Sequence, residues 1–321
     1  MSTNAIRIAS RESPLAMVHS EWAAAQLRMF HPGMEVSIIG MTTRGDQILD
    51  KPLAQIGGKG LFIKELEVAI EEGRADIAVH SMKDVPMVMP AGFSLLTVGL
   101  REDIRDAFVS NKYTSLDELP AGAIVGTSSL RRESQIRHFY PGLKIAPLRG
   151  NVNTRLRKLD DGEFDAVILA AAGLKRLGFG ARIRNTLDTN RFIPAVAQGA
   201  LGIEYATDRA DVPALLAPFT NPATTAMVDA ERAFGRRLSA SCDVPLGATA
   251  TVEGTRLSIA GFVSTPDGSR LIAAIETGAM TDADVIGTAL AERLLADGAE
   301  DILASLLALA GRTLAPPSRT A

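Results

Sequence analysis

The chain repeats itself. The stretch 29-MFHPGMEVSIIG-40 returns in altered form as 138-HFYPGLKIAPLRG-150, each with an aromatic, a Pro-Gly pair and a short alternating run. Likewise 65-ELEVAIEEGRADIAVHSMKDV-85 returns as 154-TRLRKLDDGEFDAVILAAAGL-174. Both read as an amphipathic helix, a glycine stop at Gly73 or Gly162, and a strand opening at Asp76 or Asp165. Upstream, IRIASRESPLA and AIVGTSSLRRES match as strand, Ser/Thr-rich turn and helix start. A duplicated β-turn-α-β-α-β unit demands two α/β lobes, with parallel strands joined by right-handed crossovers. Ligands of such lobes dock beyond the carboxyl ends of the strands, at helix N-termini.

The expected fold class is therefore α/β: two duplicated doubly wound lobes, like those of periplasmic binding proteins, with a cleft between them. Lobe 1 should comprise residues 1–99 and 200–217, because 192-FIPAVAQGALGIEYA-206 reads as a strand returning to it. Lobe 2 should occupy 105–193. From Asn221 onward the pattern changes to a helix over 223–238 and three strand-like runs at 247–254, 256–264 and 270–278. The turn-forming EGT and TPDGS between them predict antiparallel hairpins. A small α+β domain with a three-stranded antiparallel sheet is expected over 222–312, followed by a disordered tail at 313–321.

Two differences between the copies point to chemistry. The first copy carries 20 extra residues around 41-MTTRGDQILDKPLAQIGGKG-60, a polar, glycine-rich run that suits either a mobile lid or an inert surface insertion. In addition, 80-HSMKD-84 of the first copy aligns with 169-LAAAG-173 of the second. A purely structural turn has no need of serine, lysine and aspartate together, so the first lobe is expected to be catalytic.

The second lobe is expected to grip anions. Arginine outnumbers lysine 26 to 8, and a planar guanidinium suits carboxylates and phosphates better than an ammonium. Arg131, Arg132, Arg149, Arg155 and Arg176 fall at the strand-to-helix edge where a ligand docks. Arg137, Arg157, Arg182 and Arg184 read as solvated helix faces. A net charge of −3 gives no reason to expect nucleic acid or an anionic membrane as partner. The start of the chain lacks the pattern of a signal peptide, and the longest apolar run, 166-AVILAAAGL-174, is too short to span a bilayer. A cytoplasmic protein is expected.

A single cysteine, Cys242, sits in the loop 238-LSASCDVPLG-247. It is either a small buried hydrophobe or a thiolate used as nucleophile or attachment point. No metal is expected, because His19, His31, His80 and His138 lack ligand spacing. No dinucleotide or Walker fingerprint occurs either.

Read together, 8-IASRESPLA-16, 57-GGKGLF-62, 80-HSMKDVP-86, 126-GTSSLRR-132, 148-LRGNVNTRL-156, 170-AAAGLKRL-177, 197-AQGALGIE-204 and 242-CDVPLGA-248 extend over nearly the whole chain. In this order they resemble the hydroxymethylbilane synthase (porphobilinogen deaminase) family. One departure is visible: the family commonly carries two glycines before the cysteine, and here they are Ala240 and Ser241. The resemblance implies that a dipyrromethane cofactor is held by a thioether on Cys242. Four porphobilinogen units are added to it in turn with loss of ammonia, and water releases 1-hydroxymethylbilane. It implies Asp84 as the catalytic group. It further implies cofactor contacts from Ser81, Lys83, Thr127, Ser129, Arg131 and Arg132, and substrate contacts from Arg11, Ser13, Phe62, Arg149, Arg155, Arg176 and Gln198. The chain is expected to act as a monomer. Two rival readings stand beside this one: a non-catalytic two-lobe anion-binding protein, and a cysteine hydrolase pairing Cys242 with His80.

Overall fold

The computed structural model describes residues 5–47, 63–240 and 244–309. Phe62, Cys242, most of the insertion read as a lid, and the tail lie outside the described residues. In chain order the first lobe contains β1 (Ala5–Arg11), α1 (Pro14–Phe30), β2 (Glu35–Met41), α2 (Arg44–Gln47), α3 (Lys64–Glu71), β3 (Ile77–Ser81) and β4 (Phe93–Val98). The second contains β5 (Asp106–Val109), β6 (Ile124–Gly126), α4 (Leu130–Phe139), β7 (Lys144–Ala146), α5 (Val152–Asp160), β8 (Ala166–Ala170), α6 (Ala171–Arg176) and β9 (Asn185–Thr186). The chain then supplies β10 (Leu201–Ala206) and α7 (Asp211–Leu216).

The duplication is visible in individual hydrogen bonds. Asp76, ahead of β3, accepts the Arg7 backbone N–H at 2.8 Å, and Asp165, ahead of β8, accepts the Ile124 N–H at 2.8 Å. Each aspartate thus pins the central strand of its own lobe by the same bond. Gly73 and Gly162 take φ of 66° and 79°, the left-handed region that ends a helix at little cost only for glycine. The two sheets also share one order, β2-β1-β3-β10-β4 and β7-β6-β8-β5-β9.

Within each duplicated unit the strands are parallel as expected, β1 with β2 and β3 and β6 with β7 and β8, yet each sheet as a whole is mixed. β10 runs antiparallel to β3 and β4, and β5 runs antiparallel to β8 and β9. The reason is topological. β5 and β10 follow the two crossings between lobes, and each enters the far sheet against the direction of its strands. Neither strand belongs to a local crossover, so the right-handed βαβ rule does not apply to it.

From Pro222 the chain forms α8 (Pro222–Arg237), β11 (Leu246–Glu253), β12 (Arg256–Ser264), β13 (Leu271–Ala279), α9 (Ala283–Leu294) and α10 (Glu300–Leu309). The helix α8 begins with Pro222 at its first position, capped by Asn221, whose side chain accepts the Thr224 N–H at 2.8 Å. The strands make an antiparallel sheet in the order β11-β12-β13. One face buries Leu257 and Ile259 among residues that include Phe234 of α8 and Leu290 of α9.

This third unit is fastened to the hinge by Glu231, which is fully buried. Its carboxylate accepts from Arg101 Nη1 at 2.6 Å, from the Ala197 N–H at 2.6 Å and from the Ala250 N–H at 2.7 Å. Arg101 and Ala197 lie on the two crossings and Ala250 on β11, so one carboxylate ties the hinge to the third domain. Removing one partner of such a buried pair strands the other charge, at a cost of roughly 3–5 kcal/mol.

Candidate active site

β3 and β8 end at matching places, but the chain continues differently. After Ser81 a single 3-10 turn, Met82–Asp84, leads to Pro86, and a residue before proline is disfavoured in helix. After Ala170 the chain runs on as α6. The aspartate is thereby held exposed at the carboxyl edge of lobe 1. Arg11, Ser13, Ser81 and Asp84 line one small cavity together with His19 and Ile63. Four residues singled out in the sequence thus come together, from the ends of β1 and β3 and the start of α1.

His19 was not singled out, and no motif marks it. It is 2% exposed on α1, with Nδ1 3.5 Å from the Ser81 hydroxyl. Arg176 of lobe 2 lies 3.3 Å from its Nε2. Burial, with Arg176 and Lys83 nearby, pushes its pKa down to about 3, so the ring is neutral at physiological pH. Arginine only donates, so Nε2 accepts and Nδ1 carries the proton toward Ser81. A larger cavity of 730 Å³ opens beyond His19, lined by Trp22, Phe30, Phe219, Arg101 and Arg176 among others. The smaller cavity, which holds the exposed carboxylate, is the one where chemistry is expected.

Lobe 2 faces this edge. Lys83 is half-buried, and its pKa is pushed down to about 8 by burial, with Asp84 opposing and Arg132 and Arg131 adding to the shift. Arg155 is likewise pushed down to about 10 by burial and by Arg132 and Arg149, with Asp84 acting the other way. The carboxyl edge of lobe 1 that carries Asp84 is therefore within electrostatic reach of the arginines of lobe 2.

These arginines are of two kinds, a division the strand-edge mapping did not foresee. Arg131 and Arg132 are buried, and both bind Asp106 of β5, at 2.8 Å and 2.7 Å. Burial opposes ionisation of Asp106, but the two guanidiniums more than offset it and hold its carboxyl well below the usual range. Gln198 joins them: it is 1% exposed, and its amide donates to Asp106 at 2.9 Å and to the Ile104 carbonyl at 2.7 Å. The structure places Gln198 in the hinge rather than on the cleft wall. Arg155 and Arg176 differ, since their recorded hydrogen bonds go to the Gly150 carbonyl and to His19 and the Gly199 carbonyl. Among the described residues neither forms a salt bridge with a carboxylate.

Of the remaining candidates, Thr127 is buried at the end of β6 and its hydroxyl accepts the Ser129 N–H at 3.2 Å. Ser129 stands at the N-cap of α4 without a side-chain cap bond. Arg149 is half-buried beyond β7. His80, the one partner considered for a cysteine hydrolase, is committed to buried Glu204 at 2.8 Å. Among the described residues no group of three or more His, Cys, Asp or Glu is placed to hold a metal ion. No helix among them is long and apolar enough to cross a membrane.

The two kinds of arginine should respond differently to removal. Arg155→Leu should leave the fold intact and slow turnover by about 10- to 150-fold, the equivalent of one charge-assisted hydrogen bond of roughly 1.5–3 kcal/mol. Arg132→Leu should instead destabilise the protein by roughly 3–5 kcal/mol, because it leaves the buried Asp106 short of a partner. Arg182→Leu removes a surface ion pair with Asp160 and a long hydrogen bond to Asn111 and should be nearly silent. Thermal melts and steady-state rates on the three variants check this. Equal behaviour of Arg155→Leu and Arg182→Leu would contradict it.

The model of the family described as "Porphobilinogen deaminase, dipyromethane cofactor binding domain" matches residues 6–214. That of "Porphobilinogen deaminase, C-terminal domain" matches residues 225–296. The porphobilinogen deaminase of Laribacter hongkongensis is 60% identical over 296 residues, 92% of this chain and 96% of the relative. That of Thiobacillus denitrificans is 58% identical over 301 residues, 94% of this chain and 98% of the relative. Among solved structures, a periplasmic substrate-binding protein of an ABC transporter from Coxiella burnetii is 16% identical, with a TM-score of 0.44 over 68% of this chain and 93% of that one.

Proposed function

The chain belongs to the porphobilinogen deaminase family, and from that membership we propose which of its residues carry the activity. It condenses four porphobilinogen molecules head to tail onto a dipyrromethane primer, releasing ammonia and the linear tetrapyrrole 1-hydroxymethylbilane. Every pyrrole unit brings an acetate and a propionate into the cleft. Arg155 and Arg176, which pair with no carboxylate among the described residues, together with Lys83, are the donor set such a ligand requires, so the residues fit the cofactor the family carries. Cys242 is proposed as its attachment point, and Ser81, Lys83, Thr127 and Ser129 as groups at the strand and helix ends that receive its carboxylates. The primer, when bound, supplies the pyrrole carbon onto which substrate is condensed.

Asp84 is proposed as the catalytic carboxylate. Losing ammonia leaves positive charge on the substrate pyrrole, and a fixed carboxylate beside the ring N–H stabilises that charge and takes up a proton. Arg11 and Ser13, in the same cavity, hold the substrate carboxylates, with Arg149, Arg155 and Arg176 opposite. Arg131 and Arg132 are proposed to act through Asp106, shaping the cleft floor. The observation that carries this reading is the exposed Asp84 in one cavity with Arg11, Ser13 and Ser81, within electrostatic reach of Arg155. Action as a monomer is part of the same proposal. A cytoplasmic location is part of the same proposal and rests on the family's biosynthetic role.

Two arguments give the test. Purified protein should consume four porphobilinogen and release four ammonia per bilane; ammonia release without bilane would contradict the reading. The pH dependence should then show Lys83. Its ammonium binds the primer's carboxylates only while protonated, so the fraction of chains that load the dipyrrole should fall as the pH of assembly climbs past about 8. Lys83→Arg, charged throughout, should flatten that fall. Stability moves the other way. Between about 8 and the ordinary lysine pKa the folded state holds fewer protons than the unfolded, so stability should increase with pH in that window. A loading profile identical in the two proteins, read by intact mass, would remove Lys83 from the site.

A further inference from the structure

The segment that follows Asp84 does not end in solvent. It seats on α8, at two residues nearly one turn apart. Arg232, 6% exposed, donates through Nη2 to the carbonyls of Pro86 at 2.7 Å and Met87 at 3.2 Å. Gly235 sits beneath Met87: a Cβ there would lie 2.7 Å from the Met87 sulfur and 3.4 Å from the Ala240 Cβ. A side chain there would touch Ala240 at ordinary contact distance but would displace the Met87 side chain. Met87 is three residues beyond Asp84, and Ala240 is two residues before Cys242. Gly235 is thus where the segment that follows Asp84 meets Ala240, the last described residue before Cys242.

Packing alone does not explain the arginine. No salt bridge is recorded for it among the described residues, its buried Nη1 has no hydrogen-bond partner, and burial pushes its pKa down to about 10. A buried charge held this way is a cost that an apolar side chain of similar length avoids. The two arginines that follow on α8 do not share this role. Arg236 is turned to Asp284 at 2.5 Å and Arg237 to Glu292 at 2.6 Å, both within the third domain.

We propose that Arg232, with Gly235 beside it, is a positioning residue that sets the Asp84 segment of lobe 1 against the cofactor-bearing domain. It touches neither substrate nor reacting atoms. Its effect is on alignment, where a displacement of about 1 Å can cost on the order of 10²-fold in rate. The inference rests on the roles proposed above for Asp84 and Cys242.

The test uses the purified full chain of Arg232→Met, Arg232→Gln and Arg232→Lys. For each, kcat and KM for porphobilinogen, the fraction carrying a covalent dipyrrole by intact mass, and the thermal midpoint are measured. Arg232→Met should keep or raise the midpoint, since a desolvated cation balanced only by the nearby charge of Asp229 is gone. It should carry the dipyrrole on a smaller fraction of chains and, per loaded molecule, lose about 10²-fold in kcat with KM unchanged. Arg232→Lys, which still reaches a carbonyl, should recover most of that rate, and Arg232→Gln less. Native kcat in loaded Arg232→Met overturns the proposal, as does a rise in KM alone or a lysine variant no better than methionine. If the methionine variant does not fold, the comparison of lysine with glutamine decides in the same way. A native chain without the dipyrrole would instead overturn the roles of Asp84 and Cys242, a result distinguishable by mass before any variant is made.

Discussion

Asp84→Asn is expected to lower single-turnover ammonia release by about 10²–10³-fold, while Asp84→Glu remains impaired but measurable. Asparagine keeps the size and most hydrogen-bonding capacity of the side chain and removes only the charge. Glutamate keeps the charge and moves it by about one methylene. The position isolates the charge well. Asp84 is exposed at the end of a 3-10 turn, so neither variant leaves a buried group unpaired. The corresponding place in the other lobe is Gly173, where α6 passes against Leu15 of α1. Both variants should still hold the dipyrrole and still bind pyrrole carboxylates, because Arg11, Arg155 and Arg176 are untouched. An asparagine variant as fast as the glutamate variant, at equal cofactor occupancy, would show that charge at this position is not what drives the step.

Much of this was legible in the chain because it is local or repeated. The glycine stops at Gly73 and Gly162, the paired aspartates Asp76 and Asp165, and the contrast of HSMKD with LAAAG each lie within a short stretch that has a second copy for comparison. The antiparallel direction of β5 and β10 was not legible, because it depends on where the chain crosses between lobes rather than on any local period. The division of the arginines escaped for a similar reason. Arg131 and Arg132 look like free cleft cations until Asp106, some 25 residues away, is folded against them. His19 and Arg232 carry no motif at all: their partners Ser81, Arg176, Pro86 and Met87 are distant in sequence. Contacts of that range are set by the packing of lobe on lobe and of α8 on lobe 1.

Cys242→Ala is expected to abolish turnover altogether, since a thioether tether has no substitute in a chain with a single cysteine. It also gives the most direct measurement of the central claim, the intact mass of the purified protein. The native chain should weigh more than its sequence by one dipyrromethane, and Cys242→Ala should weigh what its sequence predicts and release no ammonia from porphobilinogen. A native protein of unmodified mass with full activity would contradict the account, and so would an alanine variant that still carries the added mass.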